Sequence, residues 1–192
     1  MENEEKKSMH WAELLASRVE SEKKEPFTIT AGMTTSGPTH LGTLCEFLFP
    51  SAIQKELVSE GKKCDYIFIA DIFDAFDSIP SVFSKHEQAL APHLGKPLSD
   101  VPDPEGCCAS FGDHFLNESL AVMKQFGVSP KIVRANEIYA SGAMDETARF
   151  FLKNEAQARE LVGRTSLKGE LPSEWSPIMP VCQNCGRIAT TR

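Results

Sequence analysis

Residues 27–71 read FTITAGMTTSGPTHLGTLCEFLFPSAIQKELVSEGKKCDYIFIAD, and no other stretch constrains the fold as strongly. FTITA (27–31) has the composition of a β-strand. Over 41–60, Leu41, Leu44, Leu48, Ile53 and Leu57 recur at mostly helical spacing, with Pro50 expected to kink or locally disturb the helix. CDYIFIAD (64–71) is rich in β-branched and aromatic residues and reads as a buried strand. Strand, helix and strand in this order form a βαβ unit, whose crossover makes the strands parallel and gathers their carboxyl ends on one edge. Ligands of such sheets sit beyond that edge. A glycine-rich loop leaves the first strand there, and Asp71, Asp74 and Asp77 leave the second, so the two loops are expected to face one crevice.

The remainder extends an α/β pattern. Trp11, Leu14, Leu15 and Val19 predict an amphipathic helix over 9–22, ended before Pro26. The Pro-, Gly-, Ser- and Asp-rich stretch 90–110 reads as an excursion from the sheet. A helix is expected at 111–126, a third strand at KIVRA (131–135), and helices near 137–141 and 145–163. A chain of 192 residues can bury a substantial core without staples. Its net charge of −7 gives no bulk attraction to nucleic acid, so any such contact is local. No window approaches the ~18–20 apolar residues of a membrane span, and the start MENEEKKSMHW is polar and acidic, unlike a secretory signal. The chain therefore reads as cytoplasmic, and its six cysteines as thiols or metal ligands rather than disulfides. Cys45 and Cys64, isolated among apolar neighbours, read as small core residues. Lys62, Lys63, Lys124, Lys153 and Arg159 read as solvated surface charges.

In TAGMTTSGPTHLGTLCEFLFP (30–50), one reading is a tight turn with His40 as a helix cap. The pattern is neither G-x-G-x-x-G nor a P-loop. PTHLGT opening a helix suggests a nucleotide site instead, because an imidazole there donates to a phosphate oxygen while helix amides face the same anion. Gly42 would then let a planar ring or a phosphate approach the backbone. In PDPEGCCASFGDH (102–114), Asp103, Cys107, Cys108 and His114 can close a tetrahedral zinc site. Two buried thiols and a helix N-terminal aspartate fit the same spacing. Cys182 and Cys185, followed by Gly186, have the shape of a zinc-ribbon knuckle but supply only half a site. A redox dithiol is the competing reading, although no helix is predicted after PVCQNCGR.

SGPTHLGT resembles the HIGH signature of class I aminoacyl-tRNA synthetases. In order, AGMTTSGPTHLGTLCEFL, IFIADIFDAFDSIP, HLGKPLSDVPDPEGC and LPSEWSPIMPVCQNCGRIATTR are similar to the class I lysyl-tRNA synthetases, from about His10 onward. The resemblance implies a Rossmann-like (HUP-type) parallel sheet with helices on both faces, a zinc-binding insertion and the start of a zinc ribbon. The corresponding domains are a catalytic part over 1–164, with the insertion at about 86–114, and a ribbon beginning at 165–192. The implied activity is ATP-dependent activation of lysine and its attachment to tRNA(Lys), with Mg²⁺ and Zn²⁺, by a monomer with no membrane partner.

The family pattern falls residue by residue on the following positions. His40, Gly42 and Thr43 take the catalytic signature, and Ser36, Gly37, Pro38, His40 and Gly42 the ATP phosphates and adenine. Gly32, Thr34 and Glu46 take lysine, whose side-chain ammonium calls for a carboxylate. Asp103, Cys107, Cys108 and His114, with Cys182 and Cys185, take metal. Thr35 stands where proline is usual, Thr43 where Asn or His closes the signature, Cys45 where arginine is usual, and Ile72 in place of an aspartate. No KMSKS-like element is found, since RTSLKGE (164–170) lacks the pattern, nor is the anticodon-binding region. The chain is thus expected to be the amino-terminal portion of such an enzyme, weak or inactive by itself. A nucleotidylyltransferase of the HxGH group and a non-catalytic zinc-bearing module that binds tRNA or a partner stay open as alternatives.

Overall fold

The computed structural model describes residues 9–166 and 169–188. The polar run before Met9, residues 167 and 168 of RTSLKGE, and the last four residues of the knuckle stretch lie outside the described residues.

The βαβ unit forms as the pattern predicts. β1 (Phe27–Thr34), α2 (Leu41–Ser59) and β2 (Cys64–Asp71) follow α1 (Trp11–Glu22), and β3 (Lys131–Arg134) completes a parallel sheet in the order β1-β2-β3. β1 runs three residues further than FTITA predicts, through Gly32, Met33 and Thr34. Gly32 permits this by lying flat against β2, where a Cβ would come within 2.7 Å of the Ile69 carbonyl oxygen and 3.1 Å of Ile69 Cβ. Met33 then reaches the core, 9% exposed.

α2 continues through Pro50 without interruption, contrary to the expected disturbance. Interior proline costs about 3 kcal/mol relative to alanine, and buried Phe47, Ser51 and Leu57 anchor the helix on both sides of it. The helix expected over 145–163 is instead two, α6 (Asp145–Lys153) and α7 (Glu155–Thr165). Asn154 separates them at φ −113°, ψ 28°, its side-chain Nδ2 donating to the Phe150 carbonyl at 2.8 Å. α4 (Phe111–Gln125) lies where the sequence predicts, and α5 (Ala135–Ala140) follows β3 directly.

The chain divides into two compact units. The first takes in the described part of Met1–Met33 with Thr39–Ala70 and Glu118–Val133. Its core gathers Met33, Phe47, Tyr66, Phe68, Met123 and Val128, and a second cluster joins Ala16, Phe27 and Leu57, seating α1 on α2. Cys45 and Cys64 are only half-buried, at the margin of this core rather than within it.

The second unit comprises Thr34–Pro38, Asp71–Asn117 and the described part of Arg134–Arg192. Its core is aromatic: Phe76, Phe83, Phe111 and Phe115 interlock at centroid distances of 4.7–5.6 Å, with Leu90, Leu98 and Val101 closing the cluster. The excursion at 90–110 is therefore anchored: Leu90 at the end of α3 (Glu87–Leu90), Leu98 in a short 3-10 turn and Val101 just after it all enter that cluster. Among the described residues, no helix is long and apolar enough to cross a membrane.

Gly32→Ala places a methyl against backbone and is expected to destabilise the protein by about 1–3 kcal/mol. Gly37→Ala, with nothing within 4 Å of the added atom, is expected to stay within about 0.5 kcal/mol of the wild type. Urea unfolding of the two variants checks the contrast.

Candidate functional site

α2 opens on a reciprocal cap. His40 is the N-cap residue, with extended backbone (φ −127°, ψ 178°), and its Nδ1 accepts from the Gly42 and Thr43 amides at 3.1 and 3.4 Å. In return the Thr43 hydroxyl accepts from the His40 amide at 2.8 Å and donates to its carbonyl at 2.7 Å. This is the capping-box logic with imidazole and threonine in the two roles. Of the two roles the sequence presented for this ring, cap and phosphate donor, the structure shows the cap. With Nδ1 accepting, the neutral imidazole carries its proton on Nε2, the nitrogen the cap does not use.

Gly42 has a related local cause. A Cβ there would sit 2.9 Å from His40 Cε1 and 3.1 Å from Nδ1. The planar ring that the missing side chain admits is thus the imidazole of His40 itself. Thr39 secures the approach to the helix: its amide donates to Glu118 at 2.7 Å and its hydroxyl lies 2.9 Å from that of Ser119. Glu46 is exposed on the second turn of α2, and Gly32 lies in β1.

At the end of β1, the Thr34 hydroxyl donates to Asp74 at 3.2 Å. Ser36 is exposed, while Gly37 and Pro38 are half-buried. Thr35, where the resembled family has proline, is fully buried, and its hydroxyl has no hydrogen-bond partner among the described residues. A proline at that position would carry no such group.

Asp71 ends β2 half-buried, and its carboxylate accepts from the Phe73 amide at 3.3 Å. Burial, and after it the neighbouring Asp74, push the Asp71 carboxyl above the ordinary aspartate range. Both residues line a cavity of about 360 Å³ with Phe73, Tyr139 and the Pro177–Val181 segment. The Phe73 and Tyr139 rings meet at 5.3 Å between centroids, tilted by 31°. Sequence reasoning found the aspartates from their place at the strand end, but not the rings, because Tyr139 comes from α5, more than sixty residues later. Arg134, at the end of β3, pairs with Asp113 and, at 3.2 Å, with Glu137.

The four residues of the predicted metal group converge. One donor atom from each of Asp103, Cys107, Cys108 and His114 lies within 4.8 Å of all the others. Cys107 Sγ is 3.1 Å from Cys108 Sγ and 3.4 Å from His114 Nδ1, which in turn is 3.2 Å from Asp103 Oδ1. Tetrahedral zinc with ordinary bond lengths has ligand-to-ligand edges of about 3.3–3.8 Å; the two His114 distances lie close to that range, and the thiol–thiol distance is shorter. Asp103 shapes the turn through its carboxylate, which accepts from the amides of Glu105, Cys107 and Cys108 at 3.1, 2.9 and 2.9 Å. Burial raises its pKa, but these bonds and His114 outweigh that effect and hold it low. Contact with the Cys108 thiol, and after it with Asp103, pushes the Cys107 thiol up to about 12. That frustration of neighbouring acidic groups is the kind a cation relieves.

Cys182 and Cys185 occupy a tight turn. The Gly186 amide donates to the Cys182 carbonyl at 2.8 Å with Gly186 at φ +67°, and the Cys182 amide donates to the Arg187 carbonyl at 3.0 Å. The Ile188 amide donates to the Gly95 carbonyl at 2.7 Å, tying the turn to the excursion. Among the described residues, the one group of three or more potential ligands does not include this pair. No helix follows among them.

Residues 9–192 match the family described as tRNA synthetases class I (K). The Lysine--tRNA ligase of Methanocaldococcus jannaschii is 36% identical over 184 residues, which are 95% of this chain and 34% of that protein. That of Methanosarcina barkeri is 35% identical over 189 residues, 96% of this chain and 34% of the relative. That of Archaeoglobus fulgidus is 33% identical over 185 residues, with 96% and 36% covered. The chain thus spans about a third of the length of these relatives.

The cap makes a graded prediction. His40→Ala is expected to cost about 0.5–2 kcal/mol of stability, and His40→Asn, which can still accept from the first amides, a few tenths at most. Gly42→Ala is expected to behave like His40→Ala, because its methyl displaces the ring. Thermal unfolding of the three variants tests this ranking.

Proposed function

The chain belongs to the tRNA synthetases class I (K), and on that premise we propose that it serves the ATP-dependent activation of lysine and its attachment to tRNA(Lys). The observation that carries this reading is the imidazole seated on the first amides of α2, since it supplies a fixed Nε2 donor beside a helix N-terminus. In activation the lysine carboxylate oxygen attacks the α-phosphorus of ATP. The bond to the bridging oxygen breaks, and pyrophosphate leaves with the electron pair. No side-chain nucleophile takes part, so the protein works by position and by charge. His40 donates through Nε2 to a phosphate oxygen, with Thr43 and Gly42 keeping the ring in place. Ser36, Gly37 and Pro38 form the loop over the nucleotide. Gly32, Thr34 and Glu46 hold lysine. Mg²⁺, when bound with ATP, would supply charge neutralisation at the phosphates.

In this reading the sheet is the first half of a Rossmann-like, HUP-type domain over 1–164. The 86–114 insertion is a zinc-bearing element, and 165–192 is the beginning of a zinc ribbon. Asp103, Cys107, Cys108 and His114 suit Zn²⁺ by donor type and mutual distance. Cys182 and Cys185 would need two further ligands. The corresponding setting is a cytoplasmic monomer acting on tRNA(Lys).

The activation reading is tested by exchange of labelled pyrophosphate into ATP with a panel of amino acids. Exchange dependent on lysine supports it; exchange with no amino acid overturns it. His40→Asn keeps the cap but removes the Nε2 donor, and is expected to lower exchange by about 10²–10³-fold with little change in lysine affinity. An equal loss in both would remove His40 from the phosphates. For the metal, about one zinc per chain is expected from protein prepared with zinc present. Cys107→Ser and His114→Ala are expected to reduce that content and the melting temperature together. Zinc-free protein of unchanged melting temperature would refute the assignment.

A further inference from the structure

Cys107 and Cys108 are neighbours in the chain, and their sulfurs lie 3.1 Å apart. Two sulfurs on one tetrahedral zinc lie about 3.8 Å apart, and two bonded sulfurs about 2.05 Å. The pair is thus closer than shared coordination of an ion requires. Its surroundings hold it there. The Asp103 carboxylate accepts from the amides of both residues at 2.9 Å, which fixes the backbone that carries both side chains. Asn117 Nδ2 donates to Cys108 Sγ at 3.4 Å, and His114 Nδ1 lies 3.4 Å from Cys107 Sγ. Cys107 is exposed and Cys108 half-buried, so the outer sulfur meets a dissolved oxidant with a second thiol already in contact. The half-buried Cys64 thiol, by contrast, lies against the Asp65 carbonyl at 3.8 Å.

We propose that Cys107 and Cys108 are an oxidative modification site, a vicinal dithiol that a hydroperoxide converts into a disulfide and a small thiol restores. With hydrogen peroxide, the Cys107 sulfur attacks one peroxide oxygen. The S–O bond forms as the O–O bond breaks, and water leaves a sulfenic acid behind. The Cys108 sulfur then attacks the Cys107 sulfur, the S–S bond forms as the S–O bond breaks, and a second water departs. Together the thiols give up two electrons and two protons, and the peroxide takes up both. A disulfide between chain neighbours spans Cα atoms only about 3.8 Å apart, below the ~4.4–6.8 Å usual for such bonds. It is therefore strained, and strained exposed disulfides are the readily reduced ones. The modification is reversible for that reason. It consumes both sulfur donors of the four-residue group and leaves Asp103 and His114. Mutual exclusion of disulfide and zinc rests on the metal reading given above; the dithiol itself does not. Where zinc is held, its loss would uncouple the turn from α4, whose His114 packs on Phe83 and Phe115 at 5.2 and 5.0 Å between centroids.

Treatment of the whole chain with hydrogen peroxide, followed by alkylation, tryptic digestion and mass spectrometry, tests the proposal. The peptide His86–Lys124 contains no cysteine besides these two. The expected product is that peptide unalkylated and about 2 Da lighter than its reduced form, with full alkylation recovered after dithiothreitol. Cys45 and Cys64 are expected to react at least about tenfold more slowly, being half-buried and without an adjacent thiol. Cys107→Ser is expected to abolish the closed peptide. In zinc-loaded protein, about one zinc is expected to leave per disulfide formed, and the melting temperature to fall with it. Three results overturn the proposal: a peptide that stays fully alkylated, one that passes to sulfinic or sulfonic acid without closing, and one cross-linked to another cysteine-bearing peptide. These readouts come from the unaltered chain, so they hold whether or not the serine variant folds. A reversible disulfide in protein that never holds zinc would keep the dithiol and remove the metal reading. Bound zinc with no disulfide after peroxide would do the reverse.

Discussion

A helix N-terminus has four amides with no partner inside the helix. At α2 this local problem is solved by a heterocycle. The His40 ring accepts two of those amides, the Thr43 hydroxyl closes the turn from the other side, and the next residue but one has to be glycine for the ring to fit. The rest of the nucleotide reading depends on this arrangement, because it determines which imidazole nitrogen carries the proton and which one is left for a ligand. A histidine free to rotate would offer an averaged donor, whereas one held by Nδ1 offers a defined one. In the proposed reading, stability and chemistry draw on the two nitrogens of one ring.

Much of the fold was legible because its signals are local and periodic. The strand, helix and strand at 27–71 and the helices at 111–125 and near 11–22 follow from spacing alone. The discrepancies have physical causes that a local pattern cannot carry. β1 extends to Thr34 because of a close approach to β2 that only glycine allows, and that neighbour lies more than thirty residues away. α2 survives Pro50 because tertiary packing outweighs a local penalty. The break at Asn154 reflects the competition of a short polar side chain for a helix carbonyl.

The candidate sites divide in the same way. Asp103, Cys107, Cys108 and His114 sit within one short segment, so their spacing allowed convergence without requiring it, and the structure brings their donor atoms together. Gly42 was singled out for the approach of an outside ring or a phosphate, whereas the crowding a Cβ would meet there, from the His40 imidazole, could be seen only in three dimensions. The aromatic wall facing Asp71 and Asp74 was invisible, since Phe73 and Tyr139 meet only after α5 has followed β3. Thr35 offers the opposite lesson. Its departure from the family pattern was plain in the sequence, but the buried, unpartnered hydroxyl that results could be seen only in three dimensions.

The compactness of the Asp103 to His114 segment bears on the order in which the molecule assembles. Bringing chain ends together costs entropy that grows with the logarithm of the intervening length, and here all four potential ligands lie between Asp103 and His114, on a turn that runs into the start of α4. A cation would therefore meet most of its coordination sphere before any distant strand pairing had formed. Because Phe111 and Phe115 flank His114 on the same helix face as the aromatic core, an ion captured early would also orient the first residues around which that core condenses. The loop would then act as a nucleus with low contact order, and metal supply during synthesis would influence the folding rate as well as the final stability.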